Sequence, residues 1–155
     1  MATTGIDGAA TSLLVRAIAH EDAASVAELS AQLGYEVSVA AIEERIDGLS
    51  ACAESQVAFV ACINAEVVGW IEAAITRHLQ SAVCTLITGL VVKDGMRSLG
   101  IGKRLCAEVE AWSRRNGVGV VRVTSRMSRE RAHRFYLREG FRQTKTSAVF
   151  DKVLL

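Results

Sequence analysis

The sequence predicts a mixed α/β fold in one domain, and three observations predict it. The first is the order of its apolar periodicities, which alternate between strand and helix spacing as β-αα-βββ-α-β-α-β. The second is "VCTLITGLVV" (83–92), an almost unbroken apolar run of the length expected for a central strand. The third is "GMRSLGIGKRL" (95–105), a glycine-rich, cationic turn that follows that strand and enters an amphipathic helix. With 155 residues and 50% apolar composition, the chain can bury one sizeable core.

Residues 1–12 (MATTGIDGAATS) are small and polar, without the charged start and apolar run of a secretory leader. They are expected to form a disordered tail before a single domain over 13–155. "LLVRAI" (13–18) reads as a first strand. "HEDAASVAELSAQLG" (20–34) has acids near its start, Val26, Leu29 and Leu33 at helical spacing, and Gly34 as a stop. Ser38 is placed to cap a second helix, "SVAAIEERIDGL" (38–49), with Val39, Ile42 and Ile46 on one side. "VAFVACI" (57–63) and "VVGWIEAAI" (67–75) flank the short turn "NAE" and form a hairpin. Asn64, Glu66 and Glu72 interrupt this most apolar stretch, so it is two strands and no membrane span is expected.

The central strand and its loop follow, then a helix marked by Ile101, Leu105, Val109 and Trp112 and closed by Asn116-Gly117. "VGVVRVTS" (118–125) reads as another strand. "RERAHRFYLRE" (129–139) puts Ala132, Phe135 and Tyr136 at helical spacing and stops at Gly140. Residues 141–155 are expected to add one or two closing strands around "TSAVFDKVL".

The formal net charge of +1 conceals an asymmetry. Residues 1–96 carry 4 Lys/Arg against 12 Asp/Glu, a balance of −8, and residues 97–155 carry 14 against 5, a balance of +9. One reading is two solvated faces of opposite sign. The other is a C-terminal half that holds a polyanion and an acidic half that faces something cationic. A nucleic-acid partner is not expected, because such proteins tend to be basic overall. Cys52, Cys62, Cys84 and Cys106 are widely spaced with no C-x-x-C, and His20, His78 and His133 are scattered, so no metal site is expected. Reduced, buried cysteines suit a cytoplasmic protein.

In "GMRSLGIGKRL", Gly95, Gly100 and Gly102 free backbone amides beside a helix N-terminus, and Arg97, Lys103 and Arg104 add positive charge. That combination suits a phosphate. A Walker loop would need Lys-Ser/Thr where Ile101-Gly102 stands, so the outer-phosphate lysine and the magnesium hydroxyl are both missing. A dinucleotide fingerprint would need a third glycine at Leu105 and an acid at the end of the next strand, and "VGVVRVTS" offers none. The pattern [RQ]-x-x-G-x-[GA] is met by Arg97-Ser98-Leu99-Gly100-Ile101-Gly102. Together with "TGLVV" before it and "RERAHRFYLREGF" about thirty residues on, in this order and spacing, the sequence closely resembles the GNAT superfamily of acetyl-CoA-dependent N-acetyltransferases. The resemblance runs from about Leu13 to Leu155.

This resemblance implies a GNAT-type fold: a central mixed, mostly antiparallel sheet with two splayed parallel strands, flanked by about four helices. It implies acetyl-CoA as cosubstrate, without a metal. The acyl-pantetheine arm would lie in the splay and pair with backbone groups of Leu90, Val91 and Val92, a form of strand addition. The pyrophosphate would rest on the amides of Ser98, Leu99, Gly100, Ile101, Gly102 and Lys103, with ionic contacts from Arg97 and Lys103. Arg104 reads as a solvated helix residue. Ser128 and Arg129, the latter standing where relatives often carry Asn, are implied cofactor contacts. Arg126, Arg129 and Arg131 read either as phosphate partners or as surface charge. Tyr136 falls where the family's tyrosine directs its hydroxyl at the CoA sulfur, as a general acid. A phenol of reference pKa about 10 can protonate a departing thiolate of about 8.5.

The resemblance departs at the general base. A protonated amine cannot attack a thioester, so its proton must be accepted. Many relatives carry a glutamate in "EGLVV", and here Thr88 stands in its place. The substitutes are Glu72 on the preceding strand or His78 just after it, and the expected route is water ordered by Thr88 with help from either. His133 reads as a surface residue. No cysteine has a paired histidine, so direct attack in a ternary complex is expected rather than an acetyl-enzyme. The missing carboxylate keeps open a different class, a non-catalytic acyl-CoA-binding sensor or regulatory domain. The acceptor is expected to be a small-molecule or protein amine. The acidic N-terminal helices suggest a cationic one such as a polyamine, aminoglycoside or protein amine. Homodimers are common in such folds.

Overall fold

A strand of β-branched and aromatic residues needs a partner at once, and the two-residue connection between Ile63 and Glu66 provides it. The computed structural model, which describes residues 12–155, pairs β2 (Gln56–Ile63) with β3 (Glu66–Thr76) through a tight hairpin. Asn64 and Ala65 at its tip both have positive φ, 50° and 66°, as a two-residue hairpin turn that matches strand twist requires. Before the hairpin come β1 (Leu13–Ala17), α1 (Ala23–Ala31) and α2 (Val39–Leu49). After it come β4 (Cys84–Val92), α3 (Ile101–Arg115), β5 (Val121–Val123) and α4 (Glu130–Arg138). The sheet runs β1-β2-β3-β4-β5, antiparallel except for the parallel pair β4–β5. This is the mixed α/β architecture expected, with five strands and four α-helices. Residues 1–11 of the expected tail lie outside the described residues.

The chain divides after Thr124 into two compact units. In the first, the two sheet faces are covered by different helices. α3 brings down the predicted stripe of Ile101, Leu105, Val109 and Trp112, all buried. Gly69 of β3 admits it: a Cβ there would lie 2.9 Å from Val91 O, 3.2 Å from Ile101 Cγ2 and 3.3 Å from Leu105 Cδ1. Ser113 of α3 is buried with its Oγ 2.7 Å from Thr85 Oγ1 and 2.8 Å from Val109 O, so helix and sheet also share a satisfied polar contact. The opposite face packs Val60, Cys62, Val67 and Val91 against Ala23, Val26 and Leu29 of α1 and Ile42 of α2, with Trp70 alongside.

Two polar devices fix the ends of those N-terminal helices. Buried Asp22 accepts the Ala19 N–H at 2.7 Å and both guanidinium nitrogens of Arg16 at 2.7 and 2.9 Å. The Arg16 hydrogen bonds hold its carboxyl below the usual aspartate range, against the opposing cost of burial. Ser38 caps α2 as expected, its Oγ accepting the Ala41 N–H at 3.1 Å. Of the three residues assigned to the buried side of α2, Val39, the first residue of the helix, is exposed. Cys62, Cys84 and Cys106 are buried as expected, whereas Cys52, in a 3-10 turn after α2, is exposed.

The second unit holds α4, which ends at Gly140 with φ +91°. The closing strands expected over 141–155 are not formed: no described residue after Val123 is in a strand. An alternating apolar segment becomes a strand only against a ladder partner. None is made here, and Val149, Phe150, Val153 and Leu154 remain 83–91% exposed. "VGVVRVTS" likewise contributes only Val121–Val123. Among the described residues no helix is long and apolar enough to cross a membrane.

Candidate active site

β4 changes its environment halfway along. Thr85, Leu86 and Ile87 pair in parallel with Val121, Arg122 and Val123. Beyond Ile87 the strand runs on to Val92 with β3 as its only ladder partner among the described residues. Leu90, Val91 and Val92 therefore lie on a singly paired stretch, the splay that the sequence implied. Its free backbone edge can accept an extended, amide-bearing ligand.

The register with β3 shifts at the same place. Glu72 pairs with Gly89 and Ala73 with Ile87, which leaves Thr88 as an extra residue on β4. The bulge presents the Thr88 hydroxyl to the neighbouring strand, where it donates to Glu72 Oε1 at 2.6 Å. Two of the predicted catalytic positions, sixteen residues apart, thus form one unit. His78 lies in the exposed segment after β3 and does not join them.

At the other end of β4 the chain enters the glycine-rich loop. The Lys93 N–H donates to Val68 O at 2.8 Å, and the Asp94 N–H to Gln32 Oε1 at 2.9 Å, which ties the loop to the end of α1. Gly95, Ser98 and Gly100 all have left-handed φ, of 83°, 68° and 79°. For Ser98 that conformation is strained, as backbone near functional loops often is. The Arg104 N–H is bonded back to Gly100 O at 3.0 Å, whereas the amides of Ile101, Gly102 and Lys103 belong to the first turn and have no intrahelical acceptor. A Cβ at Gly100 would meet nothing within 4 Å, so the approach to these donors is clear. The set fits a pyrophosphate: three adjacent N–H groups, a helix N-terminus and exposed Lys103. Arg97 is less available than its sequence position suggested, because its guanidinium pairs with Asp94 at 2.9 Å. Leu99 is exposed.

Between α1, α2 and the Trp70–Glu72 segment of β3 is a cavity of about 270 Å³. Ile18, Val26, Ile42 and Ile46 make its apolar wall, and Tyr35, Arg45, Trp70 and Glu72 bring polar groups. Trp70 lies over Gly89, where a Cβ would come 2.5 Å from its Cη2. Its indole Nε1 is buried and has no hydrogen-bond partner among the described residues. The sequence reading missed Trp70, Gly89, Tyr35 and Arg45. The available signal was a glycine inside an apolar run, which marks close approach of a large neighbour. Several other acids of the N-terminal half engage elsewhere. Asp47 Oδ1 accepts from His20 Nδ1 at 2.9 Å, a hydrogen bond that raises the histidine's pKa, and Glu43 lies 3.9 Å from Nε2. Glu66 pairs with Lys93.

In the second unit, Ser128 is exposed and the Arg129 N–H donates to Arg126 O at 3.0 Å just before α4. His133 Nε2 lies 2.9 Å from the same carbonyl, a local helix-start contact. The Tyr136 ring packs edge-on between Phe135 and Phe141, with centroids 5.3 and 5.5 Å away. Among the described residues no group of His, Cys, Asp and Glu is arranged to hold a metal.

Known proteins share this fold. The profile of the acetyltransferase (GNAT) family matches residues 23–141. An aminoalkylphosphonate N-acetyltransferase of Salmonella typhimurium is 40% identical over 82 residues, 52% of this chain and 53% of that protein, so the match spans about half of the relative's length. Among solved structures, AAC(6')-Iy in complex with the bisubstrate analogue CoA-S-monomethyl-acetylneamine superposes with a TM-score of 0.80 at 18% identity, over 93% of this chain and 100% of that one. The aminoglycoside 6'-N-acetyltransferase AAC(6')-Ih of Acinetobacter baumannii gives the same TM-score and identity over 92% and 99%. These structures share the fold, while the profile covers most of the sequence, loop and Tyr136 helix included. The chain belongs to the GNAT acetyltransferase family, enzymes that take acetyl-CoA as their cosubstrate.

Proposed function

We propose that the protein is an N-acetyltransferase that moves acetyl from acetyl-CoA to a primary amine by direct attack in a ternary complex, and that residues 13–155 act as one acetyltransferase domain. The observation that carries this reading is the Thr88–Glu72 hydrogen bond of 2.6 Å on the wall of a small cavity, beside the singly paired stretch of β4. Glu72 accepts the amine's proton. Thr88 fixes the orientation of its carboxylate, so the base comes from the strand next to the one that carries it in many relatives. Leu90, Val91 and Val92 hold the pantetheine arm by main-chain hydrogen bonds, and the amides of Ile101, Gly102 and Lys103 hold the pyrophosphate. Tyr136 donates the proton that the departing thiolate needs. A carboxylate available from β3 removes the reason for preferring a non-catalytic acyl-CoA sensor. That none of the four cysteines is disulfide-bonded supports a reducing, cytoplasmic setting.

Two linked measurements test this. Acetyl-CoA at a hundredfold excess over its dissociation constant is expected to stabilise the protein by about 2.7 kcal/mol, with NAD and ATP far behind. Gly100→Val is expected to remove most of that shift by covering the first-turn amides. CoA release on adding amines should follow, and Tyr136→Phe should slow it while sparing acetyl-CoA affinity. Equal shifts from all three nucleotides would exclude the loop assignment. Binding without any amine-dependent CoA release would exclude the transferase.

A further inference from the structure

We infer that the acceptor is a short primary amine carrying an oxyanion, with its ammonium end at Glu72 and its anionic end at Arg45, Tyr35 and the indole N–H of Trp70. This rests on the acetyltransferase reading and adds the substrate class. Size is the first constraint. A cavity of about 270 Å³, open on one side, is below the range of about 300–1,000 Å³ usual for drug-sized ligands, so the part of the acceptor it holds is small.

Charge is the second constraint. Of the acids in the N-terminal half, Glu72 is the one that lines the cavity, and Arg45 is its one cation. A polycation would place its second and third ammonium groups in an apolar wall or against the Arg45 guanidinium, both unfavourable. A plain alkylamine would use Glu72 and leave the donors without purpose. A molecule with one amine and one oxyanion matches both signs.

The third constraint is the buried donor. Trp70 lines the cavity, and its Nε1 is shielded from solvent without a hydrogen-bond partner among the described residues. Native structures rarely leave such a group unpaired, and because the atom has no exposed surface, a ligand oxygen would pair with it after a small turn of the ring toward the cavity. The other lining hydroxyl on α1, Ser30, already donates to Val26 O at 2.6 Å and is not available. Glu72 uses Oε1 to accept from Thr88 and keeps a second oxygen for the ammonium. Carboxylate and phosphonate share the chemistry required at the anionic end.

The test uses the full chain with acetyl-CoA and a panel of β-alanine, 2-aminoethylphosphonate, propylamine, 1,3-diaminopropane and neamine. CoA release gives kcat and KM, and calorimetry with CoA present gives amine binding separately. At least one anionic amine is expected to show a KM at least tenfold below that of propylamine and of both polyamines. β-Alanine against 2-aminoethylphosphonate then separates a planar from a tetrahedral oxyanion. In Arg45→Gln the ratio of anionic to neutral kcat/KM should fall toward one through KM, and Arg45→Lys should restore part of it. Trp70→Phe should raise KM for the anionic amines more than for propylamine. A preference for diaminopropane or neamine, or an Arg45→Gln loss equal for every amine, overturns the proposal. Arg45-dependent binding of an anionic amine without CoA release keeps this acceptor class and overturns the transferase reading.

Discussion

Removing the Thr88 hydroxyl should slow catalysis only when Glu72 is present to be oriented. Thr88→Val keeps shape and takes away the donor of the 2.6 Å bond to Glu72 Oε1. Hydrogen bonds to charged groups contribute about 1.5–3 kcal/mol when sheltered. Thr88 is exposed and Glu72 half-buried, so the lower end applies after solvent screening, about 1–1.5 kcal/mol. At about 1.4 kcal/mol per tenfold, kcat/KM should fall roughly 5–10-fold. Glu72→Gln removes the base itself and should cost about a hundredfold, the low end of general-base contributions, because some of the amine is already neutral. The double variant decides the matter. If Thr88 works through Glu72, Thr88→Val in the Glu72→Gln background should add less than about twofold. The assay is thiol release under saturating acetyl-CoA, with acetyl-CoA affinity measured in parallel to confirm that the cofactor strand is intact. A Glu72→Gln enzyme within threefold of the parent would refute the assignment of the base. Losses that multiply fully in the double variant would refute the coupling.

Two further perturbations test the frame that carries these groups. Gly69→Ala sets a methyl 2.9 Å from Val91 O, a backbone atom that cannot swing aside, and should cost about 1–3 kcal/mol in urea unfolding while weakening acetyl-CoA binding through β4. Asp22→Asn leaves the partly exposed Arg16 guanidinium unpaired and should cost about 1–2 kcal/mol at neutral pH, where solvent moderates the loss. Because Asp22 has a lowered folded pKa, its contribution is complete above the ordinary aspartate value of about 3.9 and disappears as pH falls through the folded one. Acid unfolding of Asp22→Asn should accordingly be less steep than that of the parent, and an unchanged slope would count against the ion pair.

The elements legible in the sequence were those fixed by local chemistry. Ser38 announces a helix start because a hydroxyl there can accept an amide, and Ile101, Leu105, Val109 and Trp112 announce a helix face by their spacing alone. The turn at Asn64 sets the hairpin without reference to the rest of the chain. Register between strands is different, because it depends on what each strand meets. Alternation in "VCTLITGLVV" does not show that Thr88 is an extra residue, since a bulge exists only relative to a partner. The Thr88–Glu72 contact, the Trp70 ring over Gly89 and the Arg45–Trp70 cavity all depend on that register. The closing strands failed for the same reason in reverse. "TSAVFDKVL" has a strand's composition, and composition does not supply a ladder.

One backbone irregularity accounts for both halves of the site. A bulge bends its strand and increases local twist. The bulge at Thr88 falls on the residue after Ile87, the last residue of β4 that pairs with β5. The residue whose hydroxyl reaches Glu72 therefore stands where pairing with β5 ends and, among the described residues, the unpaired edge of Leu90–Val92 begins. Trp70 and Gly89 fit the same account. The indole of Trp70 on β3 lies over Gly89, the residue after Thr88, and a Cβ there would be 2.5 Å from the ring. The edge suited to a thioester-bearing arm thus lies on β4 next to Thr88, whose hydroxyl reaches across to the base Glu72 on β3. Their spacing is set by the antiparallel register of β3 and β4, in which Glu72 stands opposite Gly89, so the base and the cofactor edge are held by one ladder rather than by a loop.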